Sequence, residues 1–195
     1  MAMRTVPSQI AARLPAAAEL FADRGLDNTK IEDVAAATGI PKATLYYYFS
    51  GKEEILAFLL NDALLRVADE VAIAVQSHDT AAQRLTDVIS AQLRVMADQP
   101  AVCRALVGDL GRAGRMPAIA EMINAAYYQP VEALLLEGAA DGTLREQAHP
   151  EAVAMAIFGA VTISALSYLV TNQPLDEPRI ARAVADLILD GLRAK

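Results

Sequence analysis

The 195-residue chain has one cysteine, two histidines and no tryptophan, and only 5% of its residues are aromatic. A single thiol, Cys103, excludes an internal disulfide and fits a reducing compartment. His78 and His149 fall in expected loops beside acidic residues, and neither has a second His or Cys at metal-ligand spacing. No metal site and no cofactor is therefore expected. Nor is there a Gly-rich phosphate loop, because Gly108, Gly111 and Gly114 lack the preceding strand and the Lys-Ser/Thr pair that such a loop needs. Cys103 has no nearby His, and the carboxylates are scattered over expected exposed faces, so the chain does not read as an enzyme.

Long strand-like runs of Val, Ile and Thr are also missing. Ala and Leu dominate a composition that is 54% hydrophobic, which favours an all-α protein with a sizeable core. No apolar run of about eighteen residues goes without polar interruption, so no membrane span is expected. The nearest approach, residues 152–170, is broken by Thr162, Ser164, Ser167 and Tyr168. The N-terminus carries one Arg4 before Pro7 and no apolar signal core, so a cytoplasmic location is expected rather than export.

The net charge of −7 argues at first against a nucleic-acid partner. Its distribution changes that. Residues 1–52 hold six basic and five acidic side chains, whereas residues 53–195 hold eleven and nineteen. The acidic excess lies wholly in the larger part.

Within the near-neutral part, residues 29–52 read as two short helices, a tight turn between them and the start of a third. Thr29 and Glu32 have capping-box spacing, and Ile31, Val34 and Ala35 recur at helical intervals. Gly39 stands where a left-handed residue would end the first helix, and Pro41 suits the first turn of the next. Leu45 and Phe49 would share its buried side. Lys42, Thr44, Tyr46 and Tyr47 cannot then all point inward. They offer a cation and hydroxyls to phosphates and base edges, and a helix so presented is the recognition element of a helix-turn-helix.

The run T-x-I-x-D-V-A-x-x-x-G-I-x-K-x-T-L-Y-Y-Y-F-x-x-K-E-E-I-L resembles the DNA-binding signature of TetR-family transcriptional regulators. The matching positions are Thr29, Ile31, Val34, Ala35, Gly39, Lys42, Thr44, Leu45, Tyr46, Phe49, Lys52 and Leu56. Upstream, Ala17, Leu20, Phe21 and Gly25 match the family's first helix. The resemblance is specific over roughly residues 10–60 and only architectural beyond. It implies an all-α homodimer, with a three-helix helix-turn-helix domain at 1–52 (motif about 30–49). A six-helix ligand-binding and dimerisation domain would fill 53–195. The implied function is a DNA-binding regulator, a repressor released from a double-stranded operator by a small, mostly apolar effector. Two alternatives stay open: a helical small-molecule-binding protein that does not bind DNA, and an activator of the same fold.

On this reading Tyr46 and Lys52 contact phosphates, Lys42 a phosphate or base, and Thr44 and Tyr47 base edges. Thr29 gives its hydroxyl or backbone N–H to a phosphate, and Ala43 lets the helix sit close to a thymine methyl. The competing reading is a solvated helix face, which two adjacent exposed tyrosines beside a lysine make costly. Tyr48 is expected to be half-buried beside Phe49.

The remaining chain patterns as helices near 53–75, 80–98, 100–110, 117–139, 150–170 and 176–193, which makes nine with the three above. Pro15 implies a kink or a late start in the first helix, and Pro130 a bend near Tyr127 and Tyr128. Capping boxes are expected at Ser50/Glu53 and Thr80/Gln83. Small residues at three- and four-residue spacing mark a face suited to close helix approach. That face, Ala156, Ala160, Ile163 and Ser167 with Val184 and Leu187 of the last helix, is the expected dimer interface. Its competing reading is ordinary core packing. The adaptable side chains Met96, Cys103, Leu106, Met122, Tyr127 and Phe158 lie where the family has its effector pocket, with Gln92 or tyrosine hydroxyls to orient the ligand. Each could equally be plain core.

Overall fold

The computed structural model describes residues 5–108, 117–171, 173 and 175–192, without the side chains of 106–108 and 117–119. All regular structure among them is helical: α1 (Ser8–Ala11), α2 (Pro15–Asn28), α3 (Ile31–Thr38), α4 (Lys42–Tyr48), α5 (Lys52–Val75), α6 (Ala81–Asp98), α7 (Pro100–Gly108), α8 (Pro117–Ile123), α9 (Gln129–Asp141), α10 (Pro150–Val170) and α11 (Glu177–Leu192), with a π-helical turn at Asn124–Tyr128 before α9. The two segments beyond the nine expected arise at prolines. Pro15 splits the first helix into α1 and α2, and the helix expected over 117–139 is interrupted by the π turn. Pro130, second in α9, has no N–H to give to the turn before it, and the chain passes that point with wider π-type spacing instead of a simple bend.

Two compact units form, Met1–Ala63 with Gln99–Ile119, and Leu64–Asp98 with Ala120–Lys195. The boundary falls inside α5, which starts in the first unit and ends in the second.

In the first unit α2 packs on α3 and α7, and α3 on α4. Leu14 and, on α2, Ala17, Ala18 and Phe21 are buried, as are Val34, Ile40, Leu45 and Phe49. Burial of each large side chain contributes about 1.5–3 kcal/mol. The Phe49 ring meets Phe58 of α5 edge-on at 5.7 Å. Arg104 of α7 pairs with Glu19 of α2 at 2.7 Å. The regular turns of α2 stop at Gly25, whose φ of 74° and ψ of 158° is open to glycine almost alone. Gly39 ends α3 with φ 63° in the left-handed region, which makes the sharp turn into α4.

In the second unit α6 packs on α9, α10 and α11. Ala154, Ile157, Val161, Ala165 and Leu169 form the inward stripe of α10. Gly138 of α9 lies so close to Leu144 and Ala81 that an added Cβ would stand 2.6 Å and 2.9 Å from them. Arg84 of α6 is buried, donates to the Val75 carbonyl at the end of α5 at 2.8 Å and pairs with Glu137 of α9.

The Thr80/Gln83 box is complete, each residue's backbone N–H bonding the other's side-chain oxygen at 3.2 and 3.3 Å. The other two boxes shift by one residue. The Lys30 N–H donates to Asp33 Oδ2 at 3.0 Å, so α3 starts after Lys30, and the Ser50 N–H goes to Glu54 rather than Glu53.

Candidate functional site

Seven residues make up α4, and its two sides differ sharply. Leu45 and the following Phe49 are 1% and 2% exposed, while Tyr46 and Tyr47 are 54% and 59% exposed. Lys42 and Ala43 are exposed with them, and Thr44 is half-covered. The anchoring of Leu45 and Phe49 against the helices beneath is what turns the polar edge outward. Tyr48 is half-buried, with its ring edge-on to Tyr47 at 4.9 Å. The result is a short ridge bearing one ammonium and two phenolic hydroxyls, which suits phosphate and base-edge contacts in a major groove.

Lys42 is not isolated on this ridge. Its Nζ pairs with Glu32 of α3. That contact lowers the Glu32 carboxyl from its ordinary range and raises the Lys42 ammonium, so both stay charged near neutrality. A phosphate approaching Lys42 must compete with Glu32, which the sequence offers only as a capping residue.

Two expected DNA contacts are placed differently. Thr29 is 0% exposed. Its hydroxyl donates back to the Gly25 carbonyl at 2.9 Å, and its N–H to Leu26 O at 3.3 Å. The Gly25 break folds the chain so that Thr29 closes the α2 turn, so neither group is offered to a phosphate. Lys52 is half-covered, and its ammonium donates to the carbonyls of Asp27 and Thr29, both at 3.0 Å. It ties the start of α5 to the end of α2, with at most one hydrogen left for a phosphate.

Of the expected ligand-contacting residues, Met96, Met122, Tyr127 and Phe158 lie in the second unit and Cys103 in the first. The Leu106 side chain lies outside the described ones. Tyr127 and Phe158 meet edge-on at 5.0 Å, and Tyr128, not singled out by the sequence, joins them at 5.5 Å from Phe158. Met96 is buried at 5% exposure and Met122 is half-covered. Gln92, on the same helix as Met96, reaches across to α10 and donates to Thr162 Oγ1 at 2.8 Å and to Phe158 O at 3.3 Å. Cys103 is partly covered as a residue, yet burial of its sulfur pushes the thiol up to about 12. A groove of about 490 Å³ runs between α6 and α11, with Asp87, Arg94, Arg182 and Asp186 in its walls. Its mixed charges match an apolar ligand poorly.

On the outer side of α10 and α11, Ala156, Ile163, Ser167 and Leu187 are exposed, Ile163 at 58% and Leu187 at 76%. Ala160 is half-covered. Met155 and Val170 extend the same apolar exposure, at 48% and 63%. Val184 does not belong to this surface. It is 7% exposed and lies among Ile180, Ala181 and Ala185 on the inward side of α11, so it fills the subunit's own core. At 21 residues and a mean hydropathy of 2.1, α10 is long and apolar enough to cross a membrane, with only 28% of that span buried. Among the described residues no group of three or more His, Cys, Asp and Glu side chains could hold a metal ion.

Residues 14–58 match the sequence profile described as bacterial regulatory proteins, tetR family, and residues 78–192 match that of the Tetracyclin repressor-like, C-terminal domain. The fatty acid metabolism regulator protein of Bacillus subtilis is 23% identical over 185 residues, covering 93% of this chain and 94% of its own length. The HTH-type transcriptional repressor KstR2 of Mycolicibacterium smegmatis is 26% identical over 192 residues, covering 95% and 93%. Among solved structures, FadR from Bacillus subtilis in complex with stearoyl-CoA superposes with a TM-score of 0.77 at 21% identity, over 93% of this chain and 98% of that one. AibR in complex with isovaleryl coenzyme A and operator DNA gives 0.74 at 20% identity, over 92% and 97%.

Proposed function

Since the chain belongs to the TetR family of bacterial regulatory proteins, we propose that it regulates transcription as a homodimeric repressor whose grip on DNA is released by an apolar effector. The observation that carries this reading is the α4 ridge, with Tyr46, Tyr47 and Lys42 outward over a buried Leu45 and Phe49. Residues 1–52 are taken as the DNA-binding domain and 53–195 as the ligand-binding and dimerisation domain, acting in the cytoplasm without catalysis.

Tyr47, Thr44 and Ala43 face base edges, and Tyr46 and Lys42 face phosphates. Lys52 acts chiefly by holding α5 to the end of α2. A second copy covers the exposed apolar side of α10 and α11. That pairing sets two α4 helices into successive major grooves, about 34–36 Å apart or a multiple of that spacing. The effector enters around Met96, Met122, Tyr127 and Phe158. The names of two fold neighbours, one with stearoyl-CoA and one with isovaleryl coenzyme A, make acyl thioesters of CoA the first class to test. A ligand releases DNA only by favouring one spacing of the two α4 helices over another, and α5 is the helix that joins the two domains.

The test is a gel shift with DNA from upstream of the chain's own gene, run over a salt series and with and without stearoyl-CoA. Salt-sensitive binding to a near-palindrome, lost on adding the thioester, supports the reading. Binding that is absent or indifferent to salt would leave a helical ligand-binding protein without a DNA function.

A further inference from the structure

Gln92 and Tyr127 are large polar side chains that the fold covers almost completely, at 2% and 0% exposure. Buried polar atoms ordinarily find partners. Gln92 does so on one side only. Both hydrogens of its Nε2 are used, by Thr162 Oγ1 and by Phe158 O. Turning the amide over would set its oxygen against the Phe158 carbonyl, so the orientation is fixed. Among the described residues nothing donates to Gln92 Oε1, and the Tyr127 hydroxyl has no hydrogen-bond partner. Phe158 is the neighbour they share: Gln92 holds its backbone, and Tyr127 lies against its ring. Tyr127 also sits in the π-helical turn Asn124–Tyr128, a distortion often found at functional sites.

We propose that Gln92 Oε1 and the Tyr127 hydroxyl are the polar anchor of the effector site, selecting an apolar ligand that brings a neutral hydrogen-bond donor, a hydroxyl or an amide, over one that ends in a carboxylate. This rests on the effector reading above and refines it. The Gln92 oxygen can only accept, so it takes an O–H or N–H and repels a carboxylate. Burial raises the Tyr127 hydroxyl above its ordinary value, so it stays protonated and can donate to an uncharged oxygen. Among the described residues no hydrogen bond or ion pair brings a Lys, Arg or His to either group. A carboxylate entering here would lose its water without gaining a cation. An alcohol, or the amides of a pantetheine arm, meets no such penalty.

Calorimetric titration of the full-length chain with 1-decanol, decanamide, decanoate and decanoyl-CoA at about pH 7.5 tests this. The alcohol and the amide are expected to bind at least about tenfold more tightly than decanoate. Tyr127→Phe should weaken both about tenfold and leave decanoate unchanged. Its melting temperature without ligand should equal or exceed that of the wild type, since it removes a hydroxyl with no partner among the described residues. Equal binding of alcohol, amide and acid, or an unchanged preference in Tyr127→Phe, would overturn the anchor while sparing the effector reading. A lower melting temperature for Tyr127→Phe would show that the hydroxyl has a partner within the fold, and would also overturn it. Failure of all four probes to bind the wild type would overturn the anchor and the effector reading together.

Discussion

The α4 ridge and the Gln92–Tyr127 cluster both present polar groups, but one does so at the surface and the other inside. On α4, both tyrosines are more than half exposed, so displaying them costs the fold little. Around Phe158 the polar atoms are enclosed, and each unpartnered one costs about 1–3 kcal/mol. Surface groups set a binding surface without burdening stability; enclosed ones trade stability for selectivity. Mutations in the two regions should therefore move different measurements.

The largest expected effect is on the ridge. Replacing Lys42 and Tyr47 together with alanine should cut operator affinity by at least about a hundredfold and flatten the salt dependence by about one unit of slope. The urea midpoint should stay put. A clear drop in that midpoint would erase the distinction between the two regions. Inside the second unit the pattern should reverse. Arg84→Met removes the bonds to Val75 O and Glu137 and should lower stability by about 1–3 kcal/mol by urea melt, while DNA affinity per folded molecule holds.

Cys103 sharpens the contrast through pH. Its thiol ionises near 9 when unfolded but only at about 12 in the fold, so the folded chain holds the proton more tightly. Its contribution is intact below about pH 9 and is lost as pH rises towards 12, by about 1.4 kcal/mol per unit. Urea melts of the wild type and Cys103→Ala at about pH 8 and pH 10.5 should show the gap changing in that sense. The smallest effect is on Glu32. Glu32→Gln frees Lys42 for phosphate and should tighten operator binding a few-fold, most clearly at low salt. Weaker binding would mean that Glu32 holds Lys42 in position for DNA instead of competing for it.

Much of the ridge is legible in the sequence because a short helix with Leu45 and Phe49 four apart leaves its other side chains nowhere to go but outward. Gly39 is legible for a similar reason, since few residues tolerate its backbone. Thr29 and Lys52 are not. Motif matching sees a hydroxyl and an ammonium, but Thr29 turns back onto the Gly25 carbonyl and Lys52 onto those of Asp27 and Thr29. Val184 fits the interface pattern by spacing, and spacing alone does not say which side of α11 meets α6. Tyr127 and Phe158 each read from the sequence as adaptable side chains. Their meeting, and the one-sided bonding of Gln92 across to α10, are tertiary facts that no local pattern carries. Pro130 announces an irregularity, but the local pattern does not say that a π turn takes the place of a simple bend.

At 24 residues, α5 is a rod of about 36 Å, gripped at its first residue by carbonyls that Lys52 bonds and at its last by the Arg84 guanidinium. Held by a hydrogen bond at either end, it has little freedom to fray, so the amides of its last turn should exchange with deuterium nearly as slowly as those at its centre.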